Sequence, residues 1–195
     1  MASETFGKKI VLVGAPVDSG KRRRGCLMGP DCYRTAGLSE ALSALGHDVT
    51  DMGNITPRRF IAESTERGIY ALDETIAWTE ALKDAAEVAM QTGLPIFLGG
   101  DHALSLGSVA GVAAFAARRN QPQFVLWLDA HSDFHTPLTT ESGHLHGTPL
   151  AYVTGRDGFT GFPKVDAPIP EENICIIGLR SVDGAEKNAL QASAI

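Results

Sequence analysis

Four short apolar runs, each unbroken by a polar residue, constrain this chain most: Ile10 to Val13, Pro95 to Leu98, Phe124 to Leu128 and Ile174 to Ile177. A strand with one wet face alternates apolar and polar residues. A continuous run instead marks a strand buried on both faces, so parallel strands covered by helices are expected. Val49 to Met52 is a weaker fifth candidate. Helix-like segments lie between the runs. One opens at Gly29-Pro30 and extends to about Leu45, where Gly46 stops it; another runs from about Thr65 to Gln91, ahead of Gly93 and Pro95; a third runs from about Ala103 to Arg119. In the second, Ile69, Leu72, Ile76, Ala77, Leu82 and Val88 recur at roughly helical spacing and predict its buried stripe.

This alternation specifies an α/β fold: a doubly wound, mainly parallel sheet with helices on both faces and right-handed crossovers. With 195 residues, 44% hydrophobic and 21% charged, residues 1–195 are read as a single domain. The formal charge of -6 gives no footprint for nucleic acid, and the basic run Lys21 to Arg24 is too short to reverse that. The apolar runs fall well short of the ~20 residues a membrane span needs, and MASETFGKK has no apolar signal core. Cys26, Cys32 and Cys175 are odd in number and lack metal-type spacing, so they are expected to be free thiols packed as small buried hydrophobes in a cytoplasmic protein.

In open α/β sheets, ligands bind beyond the carboxyl ends of the strands. Three polar clusters occupy such positions: Gly99 to His102 (GGDH), Asp129 to Asp133 (DAHSD) and Gly178 to Asp183 (GLRSVD). One crevice could collect all three. A phosphate-binding loop after the first strand is set aside on counting: in GAPVDSGKR, five residues separate Gly14 from Gly20, and Arg22 follows Lys21 where a hydroxyl is needed. That segment is expected to be a solvent-exposed glycine-rich loop.

In DAHSD, Asp129, His131 and Asp133 alternate, so an extended backbone would send all three to one face. With His102 from the neighbouring turn, they form an imidazole and carboxylate set without thiolate. Such a set favours Mn²⁺, Fe²⁺, Co²⁺ or Zn²⁺, with several carboxylates tilting the choice towards manganese. A packing explanation fits poorly, because clustered buried charge costs several kcal/mol per group unless something compensates it. A divalent cation would.

GGDHALSLG, LDAHSD and TPLTTESGHLHGTP together resemble the ureohydrolases, and the last segment resembles arginase rather than agmatinase. The likeness extends to VGAPVDSG and GCLMGP near the N-terminus and to IGLRSVD near the C-terminus, and so covers essentially the whole chain. It implies an arginase-like fold and a centre of two Mn²⁺ ions, with His102, Asp129 and Asp133 on one ion and His131 on the other, Asp129 being shared. It implies hydrolysis of L-arginine to L-ornithine and urea by a metal-bridging hydroxide. In that reaction Asp133 accepts a hydrogen bond from the hydroxide and passes its proton on, and His146 matches the proton-shuttling histidine, a role suited to imidazole. Ser142 and Asp183 match substrate contacts, Asp183 reading the α-amino group. His135 and His144 stand where arginases commonly carry asparagine. The family also implies a homo-oligomer, trimeric or hexameric.

The same likeness implies an incomplete centre. A later Ser-Phe-Asp-x-Asp segment and a glutamate that binds guanidinium are expected in the family, and after Asp133 the sequence holds only Asp157, Asp166 and Asp183. Little or no turnover is therefore expected of this chain. Its alternatives are a non-catalytic paralogue or fragment binding one metal or a full-length subunit, and a ureohydrolase acting on agmatine or guanidinobutyrate. A deacetylase-like zinc site is disfavoured by TPLTTESG and HLHG.

Overall fold

Strand β1 (Lys9–Ala15) is the spine of the molecule, and its alternation shows why. Val11 and Val13 face one way, onto Ala85 and Ala89 of a long helix, while Ile10 and Leu12 face the other, towards Leu38 and Leu42. Both faces are therefore dry, as an unbroken apolar run demands. The computed structural model describes residues 7–58 and 68–195. Within them, β1 is followed by α1 (Gly29–Thr35), α2 (Leu38–Ala44), β2 (Asp48–Asn54), α3 (Leu72–Thr92), β3 (Leu94–Gly99), α4 (Leu104–Ala117) and β4 (Val125–Leu128). A short α5 (Pro149–Val153), β5 (Ile174–Ile177) and α6 (Gly184–Gln191) complete the order.

All strand pairings are parallel: β1 pairs with β2 and β3, and β4 pairs with β5. Among the described residues, the strands form two hydrogen-bonded groups, β2-β1-β3 and β4-β5, rather than one continuous sheet. Helix α4 bridges them, since Leu106, Ala110 and Ala113 share one core cluster with Trp127 and Ile174.

Several elements differ from the sequence expectation. The helix expected from Gly29 to Leu45 is two helices, because Gly37 sits between them at φ 81°, a left-handed conformation that glycine adopts without strain. The expected start of the next helix, Thr65, lies outside the described residues, and α3 begins at Leu72. Its buried face is Thr75, Trp78, Thr79, Leu82, Ala85, Ala86 and Ala89, whereas Val88 is exposed. This face packs against both α4 and the sheet, with Trp78 and Leu82 supplying bulk among smaller threonines and alanines.

Strand β2 gave a weak signal because it is the outer edge of its group, largely exposed and carrying Asp48 and Asp51, charges that discourage edge pairing. The cysteines also depart from expectation: Cys32 and Cys175 are exposed and Cys26 is half-buried, all three free. Among the described residues, no element covers the face of β5 that carries Cys175. Among the described residues, no helix is long and apolar enough to cross a membrane.

Candidate metal centre

The segments that follow β3, β4 and β5 converge on one cavity of about 380 Å³, lined by His102, Asp129, His131, Asp133, His135, His146, Gly147 and Glu186. That volume suits a small molecule. Backbone hydrogen bonds bring the loops together. The Asp129 amide donates to the Ile177 carbonyl, and the Arg180 and Ser181 amides donate to the Ala130 carbonyl, so the segment after β5 hangs on the segment after β4. The His146 amide donates to the Gly20 carbonyl, and the Asp101 amide to the Val17 carbonyl.

His102, Asp129 and Asp133 place ligand atoms within 4.8 Å of one another. His102 Nδ1 lies 2.7 Å from Asp133 Oδ2 and 3.3 Å from Asp129 Oδ2, and the ring stacks on Trp127 at 4.8 Å between centroids. Burial disfavours charge on His102, but Asp133 and Asp129 outweigh it and push its pKa up. A divalent cation would displace that proton. Asp129 is drawn the other way: burial opposes its charge, but the His131 amide and the neighbouring imidazoles hold its carboxyl below the usual range. Asp133 is buried, and its Oδ2 receives no aligned hydrogen bond despite the close imidazole. A buried carboxylate oxygen facing an imidazole is suited to a shared cation, so this donor set fits a first-row divalent metal.

The extended DAHSD segment expected from the sequence bends instead. Strand β4 ends at Leu128, and Asp133 adopts φ 47°. That conformation is uncommon for a residue with a side chain, and the surroundings hold it. The Asp133 carbonyl accepts from the Leu150 and Ala151 amides at the start of α5. On either side, Ser132 Oγ and the Phe134 amide donate to Glu186 Oε1. Asp133 thereby turns inward beside Asp129 while His131 stands at the exposed rim, its Nδ1 3.2 Å from Asp129 Oδ1.

The substrate-reading candidates are distributed unevenly. His135 lines the cavity and places Nε2 2.7 Å from Asp183 Oδ2 and Nδ1 3.1 Å from Thr139 Oγ1. Asp183, Ser142 and His144 lie outside the lining. Ser142 Oγ accepts from the His144 amide, and the His144 ring meets the His146 ring edge-on at 5.7 Å. His146 lines the cavity, and burial lowers its pKa, favouring a neutral imidazole.

Sequence reasoning missed Asp18, Asp101 and Glu186. The segment read as an exposed loop is buried from Val17 to Gly20. Asp101 accepts from the Gly20 and Ala103 amides, and Asp18 accepts from the Gly25 and Cys26 amides. The signal for Glu186 was available: Asp183 and Glu186 are spaced as a capping box, and both of its hydrogen bonds form.

Imidazole and carboxylate groups gathered at the carboxyl ends of parallel strands define an α/β protein with a candidate metal centre. More particularly, the chain belongs to the Arginase family, whose model matches residues 8–195. It is 50% identical over 186 residues to an arginase of Brucella melitensis, covering 94% of this chain and 61% of that protein. An arginase of Agrobacterium fabrum is also 50% identical, with 92% of this chain and 56% of that one covered. Among solved structures, the arginase of Bacillus caldovelox superposes with a TM-score of 0.82 at 34% identity, covering 96% of this chain and 63% of that one. The chain thus spans about three fifths of the length of these relatives.

Proposed function

We propose that the chain carries part of a manganese-dependent arginase site, which hydrolyses L-arginine to L-ornithine and urea, and that these 195 residues alone turn over little substrate. The observation that carries this reading is the His102, Asp129 and Asp133 cluster, in which a buried Asp133 oxygen and the His102 imidazole face each other at 2.7 Å. His102, Asp129 and Asp133 would hold one ion, and His131 with a share of Asp129 would reach a second. Two such ligands are too few to fix a first-row metal firmly.

When bound, a divalent pair supplies Lewis acidity and lowers the pKa of water, which guanidinium hydrolysis needs near neutral pH. The residues of the chain orient and protect that chemistry. Asp133, fixed by Glu186 and α5, accepts a hydrogen bond from the attacking group. Burial favours the neutral form of His146, and a ring nitrogen can take up or deliver a proton at the cavity wall. A second reading, a guanidino substrate without an α-amino group, is favoured by one observation: His135 already occupies the Asp183 carboxylate.

The test is to load the purified chain with Mn²⁺, measure bound metal per chain, and assay urea release from arginine, agmatine and guanidinobutyrate. One firmly held ion and little urea is the expected result. Two tightly bound ions with rapid urea release would overturn the claim that the site is partial. Asp129→Ala should abolish metal binding, and unchanged metal content would refute the assigned ligands.

A further inference from the structure

Three loops are tied together beside the metal cavity, each through a backbone amide. The His146 amide donates to the Gly20 carbonyl at 3.0 Å, the Arg22 amide to His144 Nε2 at 3.4 Å, and the Tyr70 amide to the Gly143 carbonyl at 2.9 Å. His146 lines the cavity, so the start of the basic run Lys21 to Arg24 is held at its edge, together with Tyr70 and the Ser142 to His144 segment.

Arg22 is restrained there without being neutralised. Its guanidinium carbon stands 5.4 Å from the centroid of the Tyr70 ring, and among the described residues no carboxylate forms an ion pair with it. Lys21 differs, its ammonium lying 3.6 Å from Asp18 Oδ1 and donating to the Arg23 carbonyl. An aromatic face steadies a guanidinium and leaves its charge and its planar fork of donors available. The neighbouring imidazoles offer an anion less. Burial, and then the charges of Arg22 and Lys21, lower the His144 pKa, while burial lowers that of His146. Both rings favour their neutral forms, so the permanent positive charge on this side of the cavity belongs to the basic loop. The cavity wall itself carries the carboxylates of Asp129, Asp133 and Glu186.

We infer that Arg22 is a specificity-determining residue, its guanidinium reading the carboxylate of a guanidino acid whose other end lies at the His102, Asp129 and Asp133 cluster. A guanidinium meets a carboxylate through two parallel hydrogen bonds, a geometry that neither an imidazole nor an ammonium provides. A carboxylate is also drawn to a divalent cation, so a fixed positive charge at the rim gives it a competing place and sets which end of the ligand enters first. Arginine and 4-guanidinobutyrate carry the carboxylate, and agmatine does not. The inference deepens the proposed function and rests on it.

The test is calorimetric titration of the Mn²⁺-loaded chain with 4-guanidinobutyrate and with butylguanidine, which has the same guanidinium and no carboxylate. The unsubstituted chain should bind the acid more tightly. Arg22→Gln, at an exposed position, should weaken binding of the acid about fivefold, as the loss of one surface ion pair does, and leave butylguanidine unchanged. Arg22→Lys, which keeps the charge, should recover part of that loss, and Tyr70→Leu, which removes the ring beneath the guanidinium, should reproduce part of it. Arg24→Gln removes the same charge from an exposed neighbour in the loop and should alter neither affinity. An equal fall for both ligands, no fall for the acid, or an equal effect from Arg24→Gln overturns the inference while the proposed function stands. If neither ligand binds the loaded, unsubstituted chain, the proposed function falls and the inference falls with it.

Discussion

Glu186 Oε1, on the first turn of α6, accepts a hydrogen bond from Ser132 Oγ at 2.5 Å, joining the segment after β5 to the candidate metal ligands after β4. The same oxygen takes the Phe134 amide, so both neighbours of the left-handed Asp133 are tied to one buried carboxylate. Glu186→Ala leaves a buried hydroxyl and amide unsatisfied and should cost about 1–3 kcal/mol of stability. Metal affinity should fall as well, because Asp133 then relaxes towards an ordinary backbone conformation. Urea denaturation and Mn²⁺ titration check the two effects separately; a stability loss with unchanged metal affinity would show that Asp133 needs no such support.

Gly20 and Asp101 form a second brace, the Gly20 amide donating to Asp101 Oδ2 at 2.8 Å. A Cβ on Gly20 would meet Asp101 Oδ1 at 2.5 Å, Ala103 Cβ at 2.8 Å and His146 Cβ at 2.9 Å. Gly20→Ala should therefore push His146 from its place and cost about 1–3 kcal/mol, as overpacked cores do. An NMR spectrum of the imidazoles should show the His146 resonances moving. Unmoved resonances with full stability would mean that the loop yields freely.

What the sequence made legible follows from which constraints are local. Unbroken apolar runs located β1, β3, β4 and β5 to within a few residues, because burial on both faces leaves its mark residue by residue. The break at Gly37 was harder to read, since a glycine inside a helical pattern is tolerated as often as it interrupts. The division of the strands into two groups left no trace in the runs: Leu126 and Leu128 are as apolar as buried residues, yet stand exposed. At the site, His102 and the aspartates were legible as ligand types, and their likeness to a family ordered them. The inward turn of Asp133 was not, because it depends on Glu186, more than fifty residues away.

Arg34 makes a forked contact with Asp51, Nε to Oδ2 at 2.7 Å and Nη2 to Oδ1 at 2.9 Å, pinning α1 to the edge strand β2. The Arg34 guanidinium holds the Asp51 carboxyl below the usual value of 3.8, against the opposing effect of burial. A depressed folded pKa means stability that is fully present above the unfolded value and lost as pH falls through the folded one. Arg34→Met should cost about 1 kcal/mol at pH 7. Denaturation curves for both proteins should converge as pH drops below 3.8; an undiminished gap under strongly acid conditions would assign the loss to packing of the arginine stem instead.

His135 and Asp183 bear on substrate choice. An ionised carboxylate only accepts, so the proton between His135 Nε2 and Asp183 Oδ2 belongs to the imidazole, while Nδ1 lies 3.1 Å from Thr139 Oγ1. The other oxygen, Oδ1, takes the Glu186 amide at 2.9 Å, and that bond, with His135 adding to it, holds the Asp183 carboxyl below its ordinary value. Both oxygens are therefore engaged before any ligand arrives. An α-ammonium group seeking Asp183 must share its oxygens with His135 and the Glu186 amide, whereas a des-amino guanidino acid makes no demand at this position. Replacing His135 with the shorter asparagine frees Oδ2, so His135→Asn should raise the affinity for L-arginine relative to 4-guanidinobutyrate on the order of tenfold, about one charge-assisted hydrogen bond. Calorimetric titration of the Mn²⁺-loaded chain and its variant with both ligands measures the ratio. A ratio that stays level or moves towards guanidinobutyrate would show that Asp183 takes no part in reading the α-amino end.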